Sequence, residues 1–192
     1  MEPDKRASVG EKGFDRPVYT RKTLVALFDK SCERYANNPM FWEKSGERNT
    51  TSSYAEIQNQ LHAFACGSMN WGIKKGDRIA LLSQARKDWV VSELGILYAG
   101  AISVPLSVKL ETSELMFRLK HSGARVLITS AYQYPKLQAN LKELPQLTLV
   151  ILLDPQVEYE SNERFLGDFL GSGEKFFRNN HNICTERFAS VG

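Results

Sequence analysis

The 192-residue sequence is short of long hydrophobic runs, of cysteine and histidine, and of charge of one sign. Its longest apolar stretch, Leu147-Thr148-Leu149-Val150-Ile151-Leu152-Leu153, falls far below the ~20 residues that cross a bilayer, so no transmembrane segment is expected. Residues 1–22 contain Lys5, Arg6, Lys12, Arg16, Arg21 and Lys22 but no apolar h-region, and so do not read as a secretory signal. The three cysteines, Cys32, Cys66 and Cys184, are odd in number and lack CxxC spacing. That suits reduced thiols in a cytoplasmic chain and provides no metal framework. The sequon Asn49-Thr50-Thr51 carries no weight without an export signal. Lys plus Arg total 25 against 22 for Asp plus Glu, and the basic residues are scattered, so neither a nucleic-acid footprint nor an anionic-membrane patch is implied.

What remains is ordinary globular material, 42% hydrophobic and 24% charged, long enough to bury roughly 70% of the surface that the unfolded chain exposes. Residues 1–22 read as a polar arm punctuated by Pro3, Gly10, Gly13 and Pro17. A helix capped by Thr23 follows, with Leu24, Leu27, Phe28 and Tyr35 at helical spacing, and Asn37-Asn38-Pro39 stops it. Met40–Lys44 and Asn49–Ser53, joined by Ser45-Gly46-Glu47, suit a hairpin. Ser53 and Glu56 form a capping-box pattern before Ile57, Leu61, Phe64 and Ala65, which share one helix face up to Gly72.

Beyond Gly72 the pattern alternates: strand 77–82, helix 86–99, strand 101–105, helix 112–122, strand 125–129, helix 135–144 and strand 148–153. Parallel strands need long return connections and helices supply them. The expected fold is therefore α/β, alternating β-α units that form a largely parallel sheet with helices on both faces. Residues 23–155 make up this subdomain, and residues 156–192 are expected to be a linker with a partial helical segment. The last twenty residues show no convincing period.

In such a sheet a site belongs at the carboxyl ends of the strands, in the loops after Leu82, Pro105, Thr129 and Leu153. Ser83-Gln84-Ala85-Arg86 lacks the glycines that let a backbone cradle phosphate. The stretch 167–175, Gly-Asp-Phe-Leu-Gly-Ser-Gly-Glu-Lys, fails both phosphate-loop templates and reads as a linker. No GxSxG elbow occurs, and Gly67-Ser68 falls inside a helix, where a packing contact is the simpler reading. His62, His121 and His181 are isolated, Glu56, Asp88 and Glu93 suit caps or solvated faces, and Trp89 suits a core face. No catalytic, cofactor-binding or metal-ligating residue is therefore assigned.

Four segments taken together resemble the AMP-forming adenylating enzymes, which include acyl-CoA synthetases, luciferases and peptide-synthetase adenylation domains. They are Ser53-Tyr54-Ala55-Glu56-Ile57, Gly72-Ile73-Lys74-Lys75-Gly76-Asp77-Arg78-Ile79-Ala80-Leu81, Leu97-Tyr98-Ala99-Gly100-Ala101-Ile102-Ser103-Val104-Pro105-Leu106, and Ser122-Gly123-Ala124-Arg125-Val126-Leu127-Ile128. The resemblance spans about residues 20–155. Leu82-Ser83-Gln84-Ala85-Arg86-Lys87-Asp88-Trp89-Val90 looks most like the corresponding stretch of long-chain fatty acid–CoA ligases, although Ser107-Val108 departs from the Asp/Tyr-Pro of many members.

The resemblance implies a parent that activates a fatty acid with ATP through acyl-AMP and passes the acyl group to CoA, with magnesium offsetting phosphate charge. The family's phosphate loop, which ends in Pro-Lys-Gly, its carboxylate and arginine motifs and its catalytic lysine do not occur in this sequence, and by the resemblance the loop would begin beyond Gly192. The leading expectation is thus an inactive amino-terminal fragment of a long-chain fatty acid–CoA ligase. ATP, Mg and CoA would belong to the parent, and the rest of the polypeptide would be its first partner. Apolar faces left uncovered would favour self-association. The alternatives are a stand-alone acyl-chain or protein-binding module derived from the fold, another AMP-forming ligase subfamily, or an unrelated nucleotide binder, which the missing fingerprint glycines disfavour.

Overall fold

A computed structural model describes residues 23–45, 48–156 and 158–191. The polar arm 1–22 and the tip of the hairpin turn, Gly46-Glu47, lie outside the described residues.

Helix α1 (Leu24–Tyr35) starts on Thr23, whose side chain accepts the Ala26 N–H at 3.1 Å. Its buried face carries Val25, Ala26, Phe28 and Cys32, while Leu24 and Tyr35 are 63% and 42% exposed. The expected face is thus rotated, for an identifiable reason. Asp29 meets Gln58 Nε2 at 2.9 Å and the Tyr98 hydroxyl on the side that also buries Val25, Phe28 and Cys32, and with that side inward Leu24 faces out. Strands β1 (Pro39–Ser45) and β2 (Arg48–Ser53) form the antiparallel hairpin, a sheet of their own. Helix α2 (Tyr54–Asn70) opens on the complete capping box, with Glu56 N–H donating to Ser53 Oγ and Ser53 N–H to Glu56 Oε2. These exchanges satisfy amide groups that a helix start leaves orphaned.

The chain then builds β3 (Arg78–Leu82), α3 (Lys87–Tyr98), β4 (Ile102–Pro105), α4 (Thr112–Ser122), β5 (Val126–Thr129), α5 (Pro135–Gln138), β6 (Leu149–Leu152), β7 (Glu163–Phe165), α6 (Leu166–Asn179) and α7 (His181–Ala189). Five parallel strands lie in the order β4-β3-β5-β6-β7. Side chains alternate across a strand, and the sheet accordingly has two cores. Ile79, Leu81, Val126, Ile128, Leu149 and Ile151 pack with α1, α2, α3 and α6. Ala80, Leu82, Leu127, Val150 and Leu152 pack with α4 and α5 on the opposite face. The central strands β3, β5 and β6 are buried on both sides, as uninterrupted apolar runs require, while β4 at one edge is partly exposed.

Four sequence expectations need correction. The helix expected over 135–144 stops at Gln138 and gives way to a single 3-10 turn, Leu141–Glu143, closed by Asn140 and Leu141 carbonyls that accept from Glu143 and Leu144. Residues 167–175 are helical, inside α6, and the last twenty residues include α7. Segment 156–192 also adds β7 to the main sheet, paired with β6 from Val150↔Glu163 to Leu152↔Phe165. Helix propensity counts against Gly171-Ser172-Gly173, but the close approach of α6 to α2 at Gly173 overrides it. A Cβ on Gly67 would meet Phe169 Cε1 at 2.9 Å, the packing contact expected of Gly67-Ser68.

Candidate functional site at the sheet crest

Numbered along the sheet's own course, the strand order is 2-1-3-4-5, in which the connections change face between the first and third strands. Here that crevice lies between the carboxyl ends of β3 and β5. Ser130 Oγ donates to Gln84 Oε1 across it at 3.3 Å, and Ser130 N–H donates to Leu82 O at 3.3 Å. Behind them Thr129 and Gln133 are buried, and Gln133 Oε1 has no hydrogen-bond partner among the described residues.

One ion-pair bridge ties the crest loops together. Arg86 Nη1 meets Asp154 Oδ1 at 2.5 Å and Arg86 Nη2 meets Asp88 Oδ2 at 2.6 Å, while Asp154 Oδ2 accepts the Ala131 N–H at 2.9 Å. The loops after β3, β5 and β6 are therefore joined through two side chains. Partial burial would raise the Asp154 carboxyl, but the Arg86 and Ala131 hydrogen bonds and the Arg86 charge prevail and hold it below the ordinary carboxylate range. Arg86 also loses water, yet its two carboxylates push its guanidinium further toward the charged form.

This donor set does not suit a triphosphate. The guanidinium already faces two carboxylates, so the trio of Arg86, Asp88 and Asp154 is net negative, and the 83–86 turn has no glycine to bring amides close. Among the described residues no group of three or more His, Cys, Asp and Glu side chains could hold a metal ion.

The residues weighed in the sequence have structural partners. Glu56 caps α2, Asp88 pairs with Arg86, and Glu93 accepts from Ser103 Oγ at 2.5 Å. His121 stacks on Phe117, and Trp89 packs against the larger core. His62 borders a cleft of about 300 Å³ between α2 and α6, with its ring 4.5 Å from that of Phe188. Burial pushes its imidazole pKa down, with Asp29 opposing. Sequence reading named the crest loops but not Ser130, Gln133 or Asp154. The available signal was Asp154 directly after the apolar β6 run.

Three of the four segments that carried the resemblance, 72–81, 97–106 and 122–128, meet at the other end of the sheet. Gly76 N–H donates to Gly100 O at 2.9 Å, Arg78 Nε to Ser122 O at 3.0 Å, and Arg125 Nη1 to Asp77 Oδ2 at 2.6 Å. Gly76 and Gly100 have φ of 86° and 71°, which a side chain would strain. These residues latch the amino ends of β3, β4 and β5 and leave the crest to other groups.

Residues 28–174 match the sequence profile of the family described as AMP-binding enzyme. The chain belongs to that family. It is 28% identical over 138 residues to the long-chain-fatty-acid–CoA ligase heimdall of Drosophila melanogaster, a match covering 69% of this chain and 20% of that protein. It is 33% identical over 133 residues to a crotonobetaine/carnitine–CoA ligase of Escherichia coli, covering 68% and 26%. The crystal structure of the anthranilate CoA ligase AuaEII, in complex with anthranoyl-AMP, superposes with a TM-score of 0.67 at 24% identity, over 79% of this chain and 28% of that one, which establishes the shared fold. The chain thus spans only about a fifth to a quarter of the length of these two curated relatives.

Proposed function

We propose that this chain is the amino-terminal portion of an AMP-forming acyl-CoA ligase that acts on a long-chain fatty acid in the cytoplasm, and that it serves as scaffold without catalysing the reaction alone. The complete enzyme would join a fatty carboxylate to the CoA thiol and split ATP to AMP and pyrophosphate, with magnesium on the phosphates. The observation behind the scaffold reading is the crest. Its one guanidinium cluster is closed on Asp88 and Asp154, and adenylyl transfer depends on positioned charge that this trio does not offer. The long-chain reading is supported by the Leu82–Val90 stretch, which forms the end of β3, the crest turn and the start of α3, and by the likeness to the Drosophila ligase.

Fatty-acid-dependent ATP–pyrophosphate exchange tests both parts. The 192-residue chain is expected to give none with palmitate, and robust exchange would overturn the scaffold reading. A polypeptide extended to the length of the relatives is expected to exchange with palmitate in preference to carnitine or anthranilate. The reverse preference would overturn the long-chain assignment and leave the scaffold reading standing.

A further inference from the structure

Cys66 on α2 and Cys184 on α7 are separated by 118 residues in sequence, yet their sulfurs lie 2.9 Å apart. Both are free thiols and both are fully buried. Cys184 lies outside the 28–174 match, so the contact joins the family fold to a helix beyond it. Closing from 2.9 Å to the ~2.04 Å of a disulfide takes a movement of under about 1 Å.

We propose that Cys66 and Cys184 are a modification site at which hydrogen peroxide forms a disulfide that locks α7 onto α2. One thiol, as thiolate, attacks a peroxide oxygen, and its sulfur becomes a sulfenic acid as the O–O bond breaks and water leaves. The second sulfur attacks that sulfenic sulfur, the S–O bond breaks, and the departing hydroxide takes up the second thiol proton. Two thiols and one peroxide give one disulfide and two waters, the sulfurs losing the two electrons that the peroxide gains.

Access is governed by α7. Burial, and after it the Cys184 contact, pushes the Cys66 thiol far above its ordinary pKa, so the reactive thiolate is scarce while the helix is seated. The seat beside the thiol pair includes Arg187 Nη1 to Ala99 O at 2.9 Å, Lys75 Nζ to Ser190 O at 3.1 Å, and Phe188, which stacks on His62 and lies near the Tyr98 and Phe177 rings. Local opening of such an element exposes both sulfurs, and oxidation then traps the seated state. Cys32 serves as an internal control, since its thiol donates to Tyr54 O at 3.6 Å.

The test treats the native 192-residue chain with hydrogen peroxide, alkylates it in denaturant and maps the peptides. The expected product lacks two hydrogens, contains a Cys66–Cys184 linked peptide and carries alkyl on Cys32. Its thermal midpoint should rise by roughly 5–10 °C and fall back with dithiothreitol. In C32S the thiol titre in denaturant should drop from two to none, and in C184S no linked peptide should form. Should C184S fail to fold, the wild-type map decides alone. Linkage through Cys32, separate sulfinic acids on the pair, or unreacted Cys66 and Cys184 would overturn the site, and a linked product with an unchanged midpoint would overturn the lock.

Discussion

A Cβ on Gly173 would lie 1.9 Å from the carbonyl oxygen of Ala63, so helices α6 and α2 meet backbone to backbone at that point. Gly171, two residues earlier on the same helix, has nothing within 4 Å of its equivalent position. The two glycines therefore make a matched pair. G173A is expected to destabilise the chain by about 3 kcal/mol or more, because a carbonyl cannot yield as a flexible side chain can. G171A is expected to be neutral or to stabilise by about 0.5–1 kcal/mol, the ordinary gain for alanine inside a helix. Urea midpoints measure both, and a loss in G171A equal to that in G173A would remove the close-approach explanation.

That glycine pair also shows where the sequence was legible and where it was not. Apolar runs revealed β3, β5 and β6, because burial on both faces leaves a continuous hydrophobic signature. The capping box at Ser53 and Glu56 was readable since its chemistry is local. Gly171-Ser172-Gly173 looked like a linker because only the facing Ala63, more than a hundred residues away, explains why Gly173 belongs in that helix. The crest followed the same rule. Its loops could be placed from topology, but the Arg86–Asp154 bridge joins the β3 and β6 loops and leaves no local pattern. The Cys66–Cys184 contact likewise depends on α7, whose period is too weak to read.

Tyr134 and Glu163 form a second long-range pair, joining the start of α5 to β7 across the smaller core. The Tyr134 hydroxyl donates to Glu163 Oε1, and Glu160 N–H donates to Oε2 at 3.0 Å. Glu163 is 3% exposed, so losing the hydroxyl leaves one carboxylate oxygen buried without that donor. Y134F is expected to cost about 1–3 kcal/mol, the range for stranding a buried polar group. Burial first, then the Glu163 bond and charge, raise the Tyr134 phenol above its usual pKa, so the donor is retained through neutral pH. Equilibrium unfolding at pH 7 checks the cost, and a Y134F midpoint equal to wild type would show that the bond contributes nothing.

His62 provides a pH dependence with a definite sign. Burial lowers its folded pKa below the unfolded value of ~6.5, with Asp29 opposing. Below that value the unfolded chain takes up a proton that the folded chain resists, so this contribution is present at higher pH and is lost as pH falls through ~6.5 toward the folded pKa. H62F keeps an aromatic ring beside Phe188 and removes the titration. Comparing wild type with H62F between pH 8 and pH 5.5 should show wild type losing more stability on acidification. Parallel curves would mean that His62 does not contribute.

Asp77 tests whether the family-like turn before β3 is a latch. Its Oδ2 accepts the Lys74 N–H at 2.8 Å and Arg125 Nη1 at 2.6 Å, so one carboxylate oxygen closes the turn and ties β3 to the start of β5. Partial burial would raise its pKa, but these bonds and the Arg125 and Arg78 charges outweigh it and leave the folded value lowered. A lowered carboxylate pKa stabilises the fold above the unfolded value of ~3.9, and that stability is lost as pH falls through the folded pKa. D77N keeps the size and one carbonyl acceptor but loses the charge, and is expected to cost about 1–2 kcal/mol at pH 7. The difference from wild type should shrink below pH ~3.9 as the wild-type carboxyl protonates and comes to resemble the amide. Urea midpoints at pH 7, 5 and 2.5 measure this convergence. A gap that stays constant across the three values would mean that D77N acts through shape alone, and the turn would then owe nothing to the Asp77–Arg125 ion pair.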